Sequence, residues 1–226
     1  MFRSKSFNVH RPATLGSLTH AKSVSDISSA AIDARIFMTI REVSASEALN
    51  ITNRIMTTTM STEWKCGSSE YLLGDSEQEK WNSRYDAAYT IFELVHNKVE
   101  RSIRRKKISE INLLYFAAYF KGVPVGILEF SPENNIDSYN LPTVEYLATH
   151  CGIRNCGVLL MEHAVNKSLQ LGNNGKIKLF PLEETKLAYI KMGFSSGNLG
   201  YLVLDPANSH KWRFSPSNNS YKYITW

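Results

Sequence analysis

Apolar residues recur along this chain in two rhythms, and the elements follow from where one gives way to the other. Ile36-Phe-Met-Thr-Ile-Arg-Glu-Val43 predicts a first strand. Ser44-Ala-Ser-Glu47 has the Ser-x-x-Glu form of a capping box and predicts a helix running to about Thr58. Residues 59–76 read as a loop. Trp81, Tyr85, Ala88, Phe92, Val95 and Val99 then fall at helical spacing, with Ile103 extending the stripe into a long second helix. Asn112 to Phe120, the turn Lys121-Gly122 and Val123 to Phe130 predict a β-hairpin, and residues 131–142 a loop. Thr143 to Thr149 is the next strand. After Gly157, the residues Leu160, Met161, Ala164, Ser168 and Leu171 mark one face of a helix, which Gly172-Asn-Asn-Gly175 stops. Lys176 to Phe180 predicts a strand, Thr185 to Phe194 a helix, and Tyr201 to Leu204 a late strand ended by Asp205-Pro206. Residues 207–219 read as loop, and Tyr221 to Trp226 as either an extra strand or an aromatic plug. Alternating strands and helices of this length predict an α/β protein.

Residues 143–194 organise the rest. There a strand ends in a small-residue turn that opens a helix. Such a turn aims free backbone N–H groups at one point and favours anions, pyrophosphate above all.

At these residues the chain resembles the GNAT family of N-acetyltransferases. The family signature is a strand, then [Gln/Arg]-x-x-Gly-x-[Gly/Ala] opening a helix, then a strand, then a helix ending near Tyr-x-x-x-Gly-Phe. Gly157-Val-Leu-Leu-Met-Glu-His-Ala164 fits the start of that helix, and Tyr189-Ile-Lys-Met-Gly193-Phe194 fits the last element. The loop is Gly152-Ile-Arg-Asn-Cys-Gly157, with Gly152 at the Gln/Arg position and Asn155 at the first glycine. Asparagine enters positive φ more readily than most residues. The hairpin is similar to the second and third strands of the family, where a glycine after an apolar residue, here Gly126, is typical. The resemblance covers residues 35–204. It implies a GNAT-like acyl-CoA N-acyltransferase fold, an α+β mixed central sheet splayed between its fourth and fifth strands, with acetyl-CoA as cosubstrate in the cleft and an amine as acceptor.

Composition narrows the setting. At 226 residues, 43% of them hydrophobic, the chain can build one ordinary globular core. A net charge of +5 permits acidic partners but does not call for nucleic acid. The basic run Arg101 to Lys107 reads as a solvated helix end, since no aromatics interleave with the charges. No apolar run is long enough to span a membrane. Three cysteines, Cys66, Cys151 and Cys156, point to a reducing compartment rather than a disulfide framework. Residues 1–34 form a separate segment, and residues 205–226 an extension packed on the domain. The first 30 residues hold nine Ser/Thr, four cations and one acid, Asp26. A plain tail, an organelle transit peptide and the unfolded export signal of a bacterial effector injected into host cells all have this composition. The location is therefore cytoplasmic, or a host cytosol reached by a non-classical route.

Acetyl transfer from a thioester to an amine sets the candidate chemistry. A lysine amine with a pKa of about 10.4 holds its proton at neutral pH by about three units, or roughly 4 kcal/mol. A base or desolvation must offset that. The resemblance places Tyr189 as general acid to the departing sulfur; its alternative is a core tyrosine. For the base, Glu145 stands first, on the strand bordering the cleft, where an acid among apolar residues must face water or a partner. Glu129 is second and His150 third. Either glutamate can instead sit on a solvent face, His150 can be a loop histidine, and many members of the family use a water relay. The backbone of Leu147 and Thr149 would pair with the pantetheine. The N–H groups of Arg154, Asn155, Cys156, Gly157 and Val158 would hold pyrophosphate, with Arg154 adding charge. His150-Cys151 and Cys156 offer zinc-ligand types, but at an unusual spacing with no fourth ligand, so no metal is expected. Beyond Glu133 and Asp137 no acidic cluster marks a polyamine pocket, which turns the preference to a protein amine. A small amine, an aminoacyl-tRNA, and a binding module with its catalysis lost remain the alternatives.

Overall fold

A short turn of 3-10 helix at Ala34–Phe37 leads into β1 (Met38–Val43) and α1 (Ala45–Arg54). The computed structural model describes residues 34–65, 76–104, 112–132 and 140–224. The expectations for residues 1–33, Cys66, Arg105 to Lys107, Glu133, Asp137 and the two last residues concern positions outside these. The capping box forms as expected: Glu47 N–H donates to Ser44 Oγ at 3.2 Å, and Ser44 N–H to Glu47 Oε2 at 2.9 Å. The helix then widens into a π-helical turn at Ile55–Thr59, closed by Met60 N–H on the Ile55 carbonyl at 2.8 Å.

The long apolar stripe becomes α2 (Ser76–Arg104), whose Tyr85, Phe92, Val95 and Val99 are buried. At its basic end, Arg104 pairs with Glu100 and Arg101 bonds the Asn97 carbonyl, as on a solvated helix end. The hairpin is β2 (Leu114–Phe120) and β3 (Val123–Ser131). Lys121 and Gly122 both take positive φ, 49° and 81°, the signature of the tight turn that matches strand twist. Next come β4 (Thr143–Thr149), α3 (Cys156–Gln170), β5 (Ile177–Leu179), α4 (Glu183–Lys191), β6 (Ser195–Ser196) and β7 (Leu202–Leu204). A separate hairpin, β8 (Trp212–Ser215) and β9 (Ser220–Tyr223), closes the described chain.

The main sheet runs β1-β2-β3-β4-β5-β7-β6, antiparallel except where β4 meets β5. Helices cover both faces. Ile51, Ile55, Phe92, Val95 and Val99 of the α1–α2 layer pack on Tyr115, Ala117, Ile127 and Ala148. On the other face Leu160, Met161, Ala164 and Val165 of α3 pack on Phe116, Leu128, Phe130, Val144 and Ile177. Burial on both faces explains why β2 and β3 read as continuous apolar runs. Each fully buried large side chain here is worth about 1.5–3 kcal/mol.

Two expectations are corrected. Leu171 is 44% exposed, because α3 stops at Gln170 and leaves Leu171 as its cap; Val165 fills the core instead. Residues 207–219 are not all loop. Trp212 to Ser215 is β8, and Tyr221 belongs to its partner β9. The aromatic end of the chain is both strand and plug. Asn166 of α3 brackets Tyr221, donating to its carbonyl at 3.0 Å and accepting from its N–H at 2.7 Å. Trp212 Nε1 donates to the Met192 carbonyl at 2.7 Å.

Candidate active site

The cleft starts where two strands part. β4 and β5 pair only at Thr143–Lys178 and Val144–Leu179. β5 ends there because Phe180 is followed by Pro181, which has no N–H to continue a ladder. β4 runs on to Thr149, so alternate backbone groups from Glu145 onward face a gap instead of a strand. Within this stretch Glu145 is the extra residue of a β-bulge: Phe130 opposes Val144 and Glu129 opposes Tyr146. The bulge resets side-chain alternation. Val144 and Leu147, three apart, both face α3, while Tyr146 and Ala148 face α2.

The far end of the gap is the start of α3. Asn155 takes φ 64° and ψ −2°, the left-handed conformation, with no side-chain cap bond. It precedes helical Cys156, and this left–right pair of conformations forms a concave nest of N–H groups. The first N–H to reach a carbonyl one turn back is that of Leu159, which donates to Asn155 at 3.3 Å. The N–H groups of Cys156, Gly157 and Val158 are left for another acceptor. A Cβ at Gly157 would lie 3.8 Å from Leu147 Cδ2 and 3.9 Å from Thr149 Cγ2, so its hydrogen leaves a methyl-sized space against the unpaired stretch of β4. Arg154 is exposed. Beneath, Gly126 lets α3 sit close on the sheet: a Cβ there would be 3.2 Å from Cys156 Sγ, Leu160 Cδ1 and the Ala148 carbonyl.

The acid and base candidates fall in different settings. Tyr189 is half-buried, its ring edge-on to Phe194 at 5.7 Å, and burial pushes its phenol up to about 12. Its hydroxyl takes no hydrogen-bond partner among the described residues. Glu145 is exposed at the bulge. Glu129 is sealed on the α2 face and ion-paired with Lys98. Burial raises its carboxyl above the usual range, and Lys98 and Tyr115 pull it back; Glu145 adds repulsion.

His150 is buried with both ring nitrogens in use. Nε2–H donates to the Thr59 carbonyl at 2.8 Å, and Nδ1 accepts from Gly152 N–H at 3.0 Å. Burial lowers its pKa to about 4. With no ring lone pair left for a substrate proton, His150 serves as a fastener: it ties the turn after β4 to the π-helical turn of the α1 layer. The same bonds withdraw it from a zinc or a Cys–His site. The thiol of Cys156 is buried and pushed up to about 12.

Several residues here carried no sequence signal. Lys98 interrupts no pattern on α2, yet its ammonium lies 5.3 Å from the Tyr146 ring centroid. Lys178 is fully buried on β5, 5.2 Å from the Tyr201 ring centroid. Phe180, 66% exposed at the parting of the strands, stands edge-on to Tyr201 at 5.7 Å.

The order of strands, the parting of β4 from β5, and helices on both faces give a GNAT-like mixed α/β fold. No protein-family model matches the chain, and no curated protein matches it. Among solved structures, the chain is similar to the PaiA N-acetyltransferase of Thermoplasma acidophilum in complex with coenzyme A. Identity is 16%, over 74% of this chain and 96% of that one, with a TM-score of 0.40. It is similar to an N-acetyltransferase from Staphylococcus aureus at 15% identity, over 74% and 98% of the chains, with a TM-score of 0.39. A predicted acetyltransferase of Clostridium acetobutylicum with acetyl-CoA gives 14%, 76%, 99% and a TM-score of 0.39.

Proposed function

We propose that this chain is an acetyl-CoA-dependent N-acetyltransferase. The observation that carries the reading is the parted β4 edge leading to the bare N–H groups of α3. An extended, amide-bearing chain that ends in a pyrophosphate matches both: the backbone of Leu147 and Thr149 for its amides, and the N–H groups of residues 154–158, with Arg154, for its anion. Gly157 keeps the path between them open. Acetyl-CoA supplies the activated acyl group. Glu145, exposed at the bulge, draws the acceptor ammonium and takes its proton. Tyr189, a phenol that stays protonated far above neutral pH, donates to the leaving sulfur. Glu129 is shut off from an external acceptor by its burial and its pairing with Lys98.

The acceptor we favour is a protein amine, met at the exposed Phe180 beside Tyr201. Delivery of the protein into a host cytosol by residues 1–30 goes with this reading; deleting them would abolish delivery and spare folding, and unchanged delivery would count against it.

Calorimetric titration with acetyl-CoA tests the function. Binding is expected in the micromolar range or tighter, retained in Tyr189→Phe with kcat reduced at least about tenfold, and lost in Gly157→Glu, which fills the gap with a like-charged side chain. No binding by the unmutated chain would favour a binding module instead.

A further inference from the structure

Lys98 and Glu129 form an ion pair, its carboxylate fully buried, that stability alone does not explain. Apolar residues of similar volume usually serve a core as well as or better than such a pair. Its position is also unusual. Glu129 opposes Tyr146, the residue after the bulge, and the Lys98 ammonium lies over the Tyr146 ring. Val144, two residues back, is the last that β5 holds. Tyr146 itself, whose ring carries the ammonium, is thus about 7 Å along the strand from where the cleft opens. The Lys98 side chain is 32% exposed, so it is not sealed in as Glu129 is. A primary amine, a carboxylate able to take its proton, and an aromatic face for its charge are already assembled at Tyr146, the residue after the proposed base Glu145.

Resting on the acetyltransferase reading, we propose that Lys98 is itself an acceptor, and that the chain acetylates this lysine of its own. The Lys98 ammonium gives one proton to Glu129, and the freed nitrogen bonds to the thioester carbonyl carbon. The carbon–sulfur bond breaks, and the second proton leaves nitrogen for the departing thiolate. The products are acetyl-Lys98, the neutral Glu129 acid and CoA thiol. A buried charge pair is replaced by an amide and a carboxylic acid, which a low-dielectric setting favours. Acetylation also cancels the cation that holds Glu129, so the modified chain has an altered α2–β4 contact.

The test incubates the full chain with acetyl-CoA and no added amine, with intact-mass and peptide-mass measurements. One acetyl group per chain is expected on Lys98, at a rate constant unchanged by diluting the protein. Lys98→Arg keeps the ion pair but has no acylable primary amine; it should bind acetyl-CoA calorimetrically and take up no acetyl group there. Glu129→Gln keeps the lysine and should slow labelling at least about tenfold, a second reading that does not depend on the Arg variant folding. Acetyl-CoA binding with Lys98 unmodified overturns the inference and leaves the acetyltransferase reading standing. Absent binding overturns both. Acetyl uptake equal in the chain and Lys98→Arg also overturns the inference.

Discussion

His150 shows how a residue with the right chemistry can be committed elsewhere. A ring whose Nε2 donates to Thr59 and whose Nδ1 accepts from Gly152 must stay neutral to keep both bonds. Its pKa falls from 6.5 to about 4, so between these values the unfolded chain binds a proton that the folded chain refuses. Stability from this group is therefore full at neutral pH and lost as pH falls below the unfolded value. The loss reaches about 2 kcal/mol near pH 5. Denaturant unfolding near pH 7 and near pH 5 should show it, and His150→Gln, which does not titrate, should flatten the difference. Equal pH slopes in the two proteins would remove His150 as the cause. Tyr189 shifts the other way: burial keeps its phenol protonated through neutral pH, at the cost of making it a weaker donor than a free tyrosine.

Among the elements, α3 depends most on its neighbours. It has no side-chain cap and no acid in its first turn, and it lies against the sheet because Gly126 has no Cβ. Gly126→Val would press branched carbons into Cys156 and Leu160. A loss of about 1–3 kcal/mol is expected, together with weaker acetyl-CoA binding as the helix start moves. Unfolding midpoints and calorimetry on the one variant check both; weaker binding without lost stability would mean the glycine acts by another route. By contrast α1 is locally specified, since Ser44 and Glu47 form its cap unaided.

Across the molecule, the two helical layers pack on opposite apolar faces of the sheet, and the Lys98–Glu129 pair lies on the α2 face. Lys98→Met leaves a buried carboxylate without its cation and should cost about 3–5 kcal/mol. The double variant Lys98→Met/Glu129→Met should recover most of that loss. A double variant as unstable as the single one would show that the pair itself, not the stranded charge, supports the fold. Both are read from denaturant unfolding.

Local pattern was enough for most elements of this chain. Helical spacing gave α2, two apolar runs about Lys121-Gly122 gave the β2–β3 hairpin, and Ser44-x-x-Glu47 gave the start of α1, because each depends on neighbouring residues. Asn155 in a left-handed conformation also follows from its side chain. What local pattern left out is long-range. The bulge at Glu145 exists only in register with β3, and it leaves Glu145 exposed while Lys98 closes over Glu129. Glu129 and Lys98 are 31 positions apart, and neither strand alternation nor helical spacing indicates that they meet. β8 was missed because short strands in a Ser/Asn-rich stretch are held by Asn166 and Met192 rather than by their own propensity. Sequence spacing could thus point to the turn that opens α3. Which carboxylate is open, which histidine is occupied and which lysine lies beside the cleft were settled by burial and pairing between distant segments.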